Sequence, residues 1–300
     1  MKQIGLALIL LVSAWTTARA QVSVEILLEQ DQFLPAESMP LAVRITNRSG
    51  QTLRLGADNH WLTLSVEARD SSASVVPRLG EMPVEGYFEL ENGKMATKRL
   101  DISPHFLLSR AGRFAVIASV HVPGWDAEIT SAPKVFMVIE GTRLWERDFG
   151  IPGTANADGV PEFRKYILQQ ANYLRGQIRL YMRLTDASGL RTIRVTPVGP
   201  MVSFSRPEPQ VDRSSNLHVL YQNGPHAFSY VVYNPNGEMT IRQTFDYTNT
   251  RPRLRLNPEG DVIVSGGVRR ITSTDFPPPP PESESPIIST NEVELPSPET

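Results

Sequence analysis

The chain of 300 residues has no cysteine. This excludes disulfides, a thiol nucleophile, thiolate metal ligands and a lipidated cysteine. Long apolar runs are equally scarce. The one clear run, Ile4–Leu11 (IGLALILL), is much shorter than the roughly 20 residues a membrane-spanning helix needs. Charge of one sign is lacking too, since the formal net charge is −2. Phe276–Thr300 carries five Glu and no Lys or Arg, and the first 20 residues add only Lys2 and Arg19. The body between them is therefore close to neutral. It lacks the basic field that nucleic-acid binding relies on, so no nucleic-acid partner is expected.

Catalytic signatures are also missing. There is no G-x-S-x-G elbow, H-E-x-x-H helix, phosphate-binding P-loop or G-x-G-x-x-G. Asp148-Phe149-Gly150 matches the kinase metal-binding triplet but has no companion kinase motifs, which makes it a chance match. Asn156-Ala157-Asp158-Gly159 opens like a calcium loop and lacks the later Glu. The five histidines are scattered. His218 and His226 flank one predicted turn, but two imidazoles without a carboxylate or thiol make a weak metal site. No catalytic, cofactor or metal residue is assigned, and no cofactor is expected. A site assembled only in space, such as a pair of carboxylates, stays open.

The N-terminus does carry a signal. Lys2 supplies the charged region, Ile4–Leu11 the apolar one, and Ala18-Arg19-Ala20 a small-x-small cleavage site. Residues 1–20 are expected to be a signal peptide, with a retained anchor as the alternative. No span is expected after cleavage. Export without cysteine points to a bacterial periplasmic or extracellular protein.

From residue 21 to 141 the pattern alternates with period two, which predicts strands. Val22, Val24, Ile26 and Leu28 share a face. So do Leu41, Val43 and Ile45; Leu62, Leu64, Val66 and Ala68; Phe114, Val116, Ala118 and Val120; and Val135, Met137 and Ile139. Asn47-Arg48-Ser49-Gly50 turns the chain. The stretches LAVRITNRSGQTLRL, AGRFAVIASV and SAPKVFMVIEG resemble bacterial immunoglobulin-like domains of secreted and envelope proteins. Gly112-Arg113-Phe114 matches a turn-to-strand corner and Pro133 the residue that opens an edge strand. The resemblance implies a β-sandwich over residues 21–141 and a module that binds, spaces or inhibits. The cysteine pair of antibody domains is absent.

Residues 142–160, with the small polar run Gly153–Gly159, are expected to be a linker. Residues 161–174 suit a short amphipathic helix or a strand, and Tyr166-Ile167-Leu168 favours strand. Residues 161–275 contain a near repeat. Asn234-Pro235-Asn236-Gly237-Glu238 is matched 23 residues later by Asn257-Pro258-Glu259-Gly260-Asp261, with apolar alternation on both sides. Each unit reads as strand, turn, strand, with Pro pre-setting φ and Gly taking the left-handed position. A further hairpin is expected around Asn223-Gly224. The units resemble strand pairs of β-propeller blades, although about 110 residues cannot close a ring alone. The expected fold class is all-β: a sandwich, then an antiparallel blade-like meander, then a disordered tail at 276–300. The five prolines Pro277–Pro281 make a stiff spacer and the rest of the tail is rich in Ser, Glu and Pro.

Aromatic residues gather in the repeated hairpins, and Arg251-Pro252-Arg253-Leu254-Arg255 with Arg269-Arg270 makes a basic strip. Tyr221, Tyr230, Tyr233, Tyr247, Arg253 and Arg255 form the expected binding surface. Packing in a core is the competing reading for the tyrosines, and holding the acidic tail or an anionic surface is one use for the strip. Trp61, Trp125 and Trp145 fall in or near predicted loops. The expected function is an exported, non-catalytic binding or scaffold protein whose partner is a protein or an envelope or glycan surface. A proteinase inhibitor using a loop such as Ser71–Pro83, or a carbohydrate-binding module, is the alternative.

Overall fold

Alternating apolar residues form strands because the pleat sends successive side chains to opposite faces. The computed structural model describes residues 22–70, 74–82, 84–125, 128–155, 161–174 and 176–278. The expected signal peptide, Asn156–Gly159 and all but the first residues of the acidic tail lie outside them. No helix occurs among the described residues, so none there is long and apolar enough to cross a membrane.

The first half contains β1 (Val22–Leu28), β2 (Gln32–Phe33), β3 (Pro40–Asn47), β4 (Leu53–Leu55), β5 (Leu62–Ala68), β6 (Ser74–Val75), β7 (Phe88–Leu90), β8 (Met95–Asp101), β9 (Gly112–Val120), β10 (Ile129–Thr130) and β11 (Lys134–Val138). One sheet has the order β1-β3-β8. A second has the order β2-β11-β9-β5-β6, with β10 also on β9. All pairs are antiparallel except β11 with β2. A single hydrophobic cluster takes Val24, Val43 and Ile45 from the first sheet and Leu64, Val66, Val116 and Phe136 from the second. Asn47 is buried in its turn, where its amide nitrogen donates to the carbonyls of Gln51 (2.7 Å) and Leu90 (2.8 Å).

In β11 the expected phase is reversed. Phe136 and Val138 point into the core, while Val135 and Met137 are exposed. The cause is aromatic packing: Phe136 stacks on Phe114 at 5.7 Å and meets Phe33 edge-on at 6.0 Å. A ring buries more apolar area than the valine and methionine beside it.

The second half continues with β12 (Thr142–Ala155), β13 (Pro161–Leu174), β14 (Gln177–Asp186) and β15 (Thr192–Pro200), an antiparallel meander in chain order. The stretch expected as a linker is thus strand as far as Ala155, because it pairs along β13 from Thr142 to Gly150. Phe149 of the kinase-like triplet stacks on Tyr166 at 4.1 Å inside the core. Next come β16 (Glu208–Val211), β17 (Leu217–Gln222), β18 (Ala227–Tyr233), β19 (Met239–Asp246), the hairpin β20 (Arg253–Leu256) with β21 (Val262–Ser265), and β22 (Val268–Arg270). The sheet order is β16-β17-β18-β19-β22. The fold is all-β, built from small, mainly antiparallel sheets, and the two successive meanders have a blade-like arrangement.

Both Asn-Pro-x-Gly segments form the same turn. The amide of Gly237 donates to the Asn234 carbonyl (2.8 Å), and that of Gly260 to the Asn257 carbonyl (2.9 Å). Each Asn side chain accepts from the backbone four residues on, at Glu238 (3.0 Å) and Asp261 (2.6 Å). The glycines sit at φ 76° and 85°, which side chains with a Cβ resist. A third turn has the same bonding without the sequence signature. There Asp212 takes the Asn position and Ser215 the left-handed one, at φ 63°.

The Tyr166 hydroxyl links two of these turns, with the carbonyls of Asn234 (2.8 Å) and Ser215 (3.1 Å) sharing its one proton. Tyr166→Phe is expected to cost about 1–2 kcal/mol by leaving both carbonyls short of a donor, read as a lower urea midpoint with an unchanged slope.

The halves meet at Glu37, which follows β2 and bridges to Val195 of β15. Its side chain is only 2 % exposed. It accepts from the Leu34 amide (2.8 Å) and the Gln30 side chain (2.9 Å), and Gln30 in turn accepts from Arg179 (2.7 Å). Burial pushes the Glu37 carboxyl above its ordinary value, against the pull of those bonds and of Arg179. The unfolded chain ionises Glu37 at the ordinary value and the folded chain only at the raised one. Stability should therefore be intact below about pH 4.5 and should fall as pH rises through the raised value. The unfolding free energy of the natural chain minus that of Glu37→Gln is expected to decline as pH rises above about 4.5 in urea titrations; a difference independent of pH would contradict this.

Candidate functional site

Both faces of β17 and β18 are covered, and this decides what the tyrosines do. Odd-numbered residues of β17 (Leu217, Val219, Tyr221) pack with Val231, Tyr233 and the β14 residues Leu180, Met182 and Leu184. The opposite face (Leu220, Phe228, Tyr230, Val232) packs under Leu254 and Val264 of the β20–β21 hairpin. Of the six residues expected to form a surface, Tyr221, Tyr230 and Tyr233 are buried. They fill the two cores and offer no platform to solvent. Tyr247 is 41 % exposed, and Arg253 and Arg255 are exposed. Trp61 is likewise a core residue, 1 % exposed.

His218 and His226 do not face each other across the hairpin. His218 pairs in register with Val232, and its ring nitrogens lie 3.0 Å from Asp212 Oδ2 and 2.7 Å from the Tyr230 hydroxyl. His226 lies beside Tyr247 at 6.2 Å. Burial, helped by the Asp212 charge, pushes the Tyr230 hydroxyl up to about 12. The hydroxyl that adjoins the imidazole is thus a phenol that holds its proton firmly, and His218 links it to the Asp212 turn. Among the described residues, no three metal-ligating side chains converge.

Three concavities bear on function. A pocket of about 160 Å³ holds His60, His105, Glu81 and Arg78, but the Arg78 guanidinium is committed to the Leu64 carbonyl and lies over the Phe106 ring at 5.8 Å. An open groove of about 560 Å³ runs past Arg54, Glu89 and Trp125. Arg54 and Glu89 neutralise each other at 3.4 Å, and Trp125 leans on the core beneath. The third is an open pocket of about 350 Å³ lined by Phe204, Arg206, Glu208, Gln222, Arg251 and Arg253, among others.

This third pocket is built from three chain segments. The loop after β15 is tied to β17 by the Val202 amide donating to the Gln222 carbonyl (3.1 Å). Glu208 fastens β20 to β16 by accepting from Arg253 Nη1 (2.5 Å) and from the Leu254 amide (3.2 Å). Arg251 lies over the Phe228 ring at 5.1 Å, with Nη2 at 3.5 Å from Ser205 Oγ. An aromatic face beneath and a hydroxyl beside it orient the guanidinium without neutralising it.

The wall thus carries three guanidiniums against one carboxylate. Among the described residues, Arg206 and Arg251 enter no ion pair. Phe204, 80 % exposed, stands at the rim. Guanidiniums present paired donors that match a carboxylate, and an exposed ring adds apolar contact area. The arrangement can bind an anion.

Sequence reasoning reached Arg251 and Arg253 through the basic strip and passed over Phe204 and Arg206. Ser203-Phe204-Ser205-Arg206-Pro207 places an aromatic in a polar loop, which was the available signal. The inhibitor loop expected at Ser71–Pro83 is partly outside the described residues. Its described part is strapped down: the Val76 amide donates to Val66 (2.8 Å) and that of Leu79 to His105 (2.9 Å).

No family model matches the chain, and no curated protein matches it. Among solved structures, the sporulation control protein Spo0M from Bacillus subtilis aligns over 73 % of this chain and 80 % of its own, with 11 % identity and a TM-score of 0.31.

Proposed function

We propose that the protein is a non-catalytic binding protein that takes an acidic peptide segment of a protein partner in the pocket between β16, β17 and β20. The observation that carries this reading is the two uncompensated guanidiniums of Arg206 and Arg251, the latter oriented over the Phe228 ring, beside exposed Phe204. Side-chain carboxylates would meet the arginines, and an apolar residue would rest on the ring.

The setting is an exported protein of a bacterial periplasm or extracellular space, supported by Lys2, Ile4–Leu11, Ala18-Arg19-Ala20 and the absence of cysteine. The first half is read as an immunoglobulin-like module at 21–141, supported by two sheets sharing one core and by the turn motifs. The second half is read as a separate blade-like unit, supported by its own clusters.

A fluorescein-labelled hexaglutamate peptide should bind the full chain at low salt with a dissociation constant of about 10–100 μM, corresponding to roughly 5–7 kcal/mol. Arg251→Ala should weaken it about tenfold, and raising salt should weaken it further. A flat anisotropy titration, or equal binding by Arg251→Ala, would sink this reading; retention of a neutral glycan at the same site would replace it.

A further inference from the structure

We propose that the open edge of β8 is a second docking site, which takes an extended acidic strand of a partner protein and seats one of its apolar side chains beside Trp61 and Phe88. This site lies in the first half of the chain and does not rest on the reading of the arginine pocket.

The backbone is the first ground. β8 pairs with β3 residue by residue from Met95 to Asp101 without a register shift, and no described strand pairs with its other side. The bonds at the two ends fix the phase of this pairing. The Asn47 amide donates to the Lys94 carbonyl (3.0 Å) and the Ile102 amide to the Met39 carbonyl (3.2 Å). Even-numbered residues of β8 therefore bond to β3, and the amides and carbonyls of Met95, Thr97 and Arg99 face away from it. Among the described residues these groups meet no backbone partner. The other long edges are occupied or irregular: β1 lies against β10, β15 is bridged by Glu37, and β12 shifts register twice. An open edge accepts an extended chain because that conformation repeats donors and acceptors at the matching spacing.

A cavity beside the same edge is the second ground. It measures about 140 Å³ and is lined by Ile45, Trp61, Phe88, Ala96, Thr97 and Lys98. An apolar cavity of roughly this size can hold a benzene-sized group, so one Val or Leu side chain fits. Ala96 stands opposite Ile45 on the core face of β8. A strand added beyond β8 sends every second side chain to that same face. The Lys98 ammonium donates to the Glu85 carbonyl (2.5 Å) and ties the segment before β7 to the cavity. No backbone bond joins that segment to β8 among the described residues.

Charge chooses the occupant. Lys94, Lys98 and Arg99 follow one another along the edge and enter no ion pair among the described residues. Acidic side chains on the incoming strand are therefore favoured. A second copy of β8 is disfavoured, because antiparallel self-pairing sets the Lys98 or Arg99 charges of the two copies opposite or diagonal to each other. An inward lysine on an edge strand guards against such pairing.

The test uses the full chain carrying Arg251→Ala, so that the arginine pocket takes no part. A fluorescein-labelled Glu-Val-Glu-Val-Glu-Val-Glu heptapeptide should bind it at low salt. Thr97→Pro should weaken binding about tenfold by removing an outward main-chain donor. That donor makes no bond to β3, so the urea midpoint should stay unchanged. Arg99→Glu, which leaves the backbone intact, should weaken binding about three- to tenfold. Amide hydrogen exchange locates the peptide. Met95, Thr97 and Arg99 should exchange fast in the free chain and slow down at saturating peptide, while Ala96, Lys98 and Leu100 stay slow throughout. No binding, or binding that leaves those three amides fast, overturns the proposal. Slow exchange of all three already in the free chain, together with a dimer in sedimentation, assigns the edge to a second copy and overturns it too. None of these outcomes depends on whether hexaglutamate binds the arginine pocket.

Discussion

Trp61→Ala is expected to lower the stability of the protein by about 3–5 kcal/mol. The indole immediately precedes the core strand β5, is 1 % exposed, and stands edge-on to Phe88 at 5.5 Å. Its Nε1 donates to the carbonyl of Val84 at 2.7 Å, which ties the segment before β7 to the sheet. Alanine would leave a large cavity and an unpaired carbonyl at once, and the two costs add because neither neighbour can move into the space without leaving its own contacts. The measurement is a urea titration followed by circular dichroism, because the substitution removes a fluorophore. A loss below about 1 kcal/mol would mean that the site collapses around the alanine and that the packing described is not what holds β7 in place.

Gly199→Ala is the second large effect, with an expected loss of about 2–4 kcal/mol. At this position in β15 a Cβ would overlap the hydroxyl of Tyr221. Tyr221 is buried between the two meanders and donates that hydroxyl to the Val198 carbonyl at 3.2 Å. To admit a methyl group, either the ring leaves its place and the bond is lost, or β15 moves away from β17. Tyr221→Phe in the same background provides the control: removing the oxygen should recover part of the loss, because the clash is with that atom. No recovery would place the strain in the backbone.

Such close contacts explain how far the sequence could be read. The strands of the first half were legible because apolar residues alternate, and β1, β3, β5 and β9 bury the rows expected. The Asn-Pro-x-Gly hairpins were legible because both special conformations carry their own residue, Pro for the fixed φ and Gly for the left-handed one. The Asp212 turn was not, since Ser215 adopts the left-handed conformation without any such marker. β11 was misphased because Val135 and Met137 are as apolar as the Phe136 and Val138 that replaced them inside. The tyrosines of β17 and β18 were misplaced for a related reason. LHVLYQ and AFSYVVY are apolar or aromatic at nearly every position, the pattern of a strand buried on both faces. What covers the second face is the β20–β21 hairpin, which is encoded some 20 residues further on.

The sequence by itself determined the absence of thiol chemistry, the near-neutral body, the all-β class and the charge of the segment after Phe276, since these follow from residue counts and local alternation. The tertiary structure alone decided which aromatic residues are core and which arginines remain uncompensated. That outcome depends on where Glu208, Asp246 and Asp275 sit once the strands have paired. Free charge and exposed ring area are properties of neighbours in space, and the residues that settle them come from segments tens of positions apart.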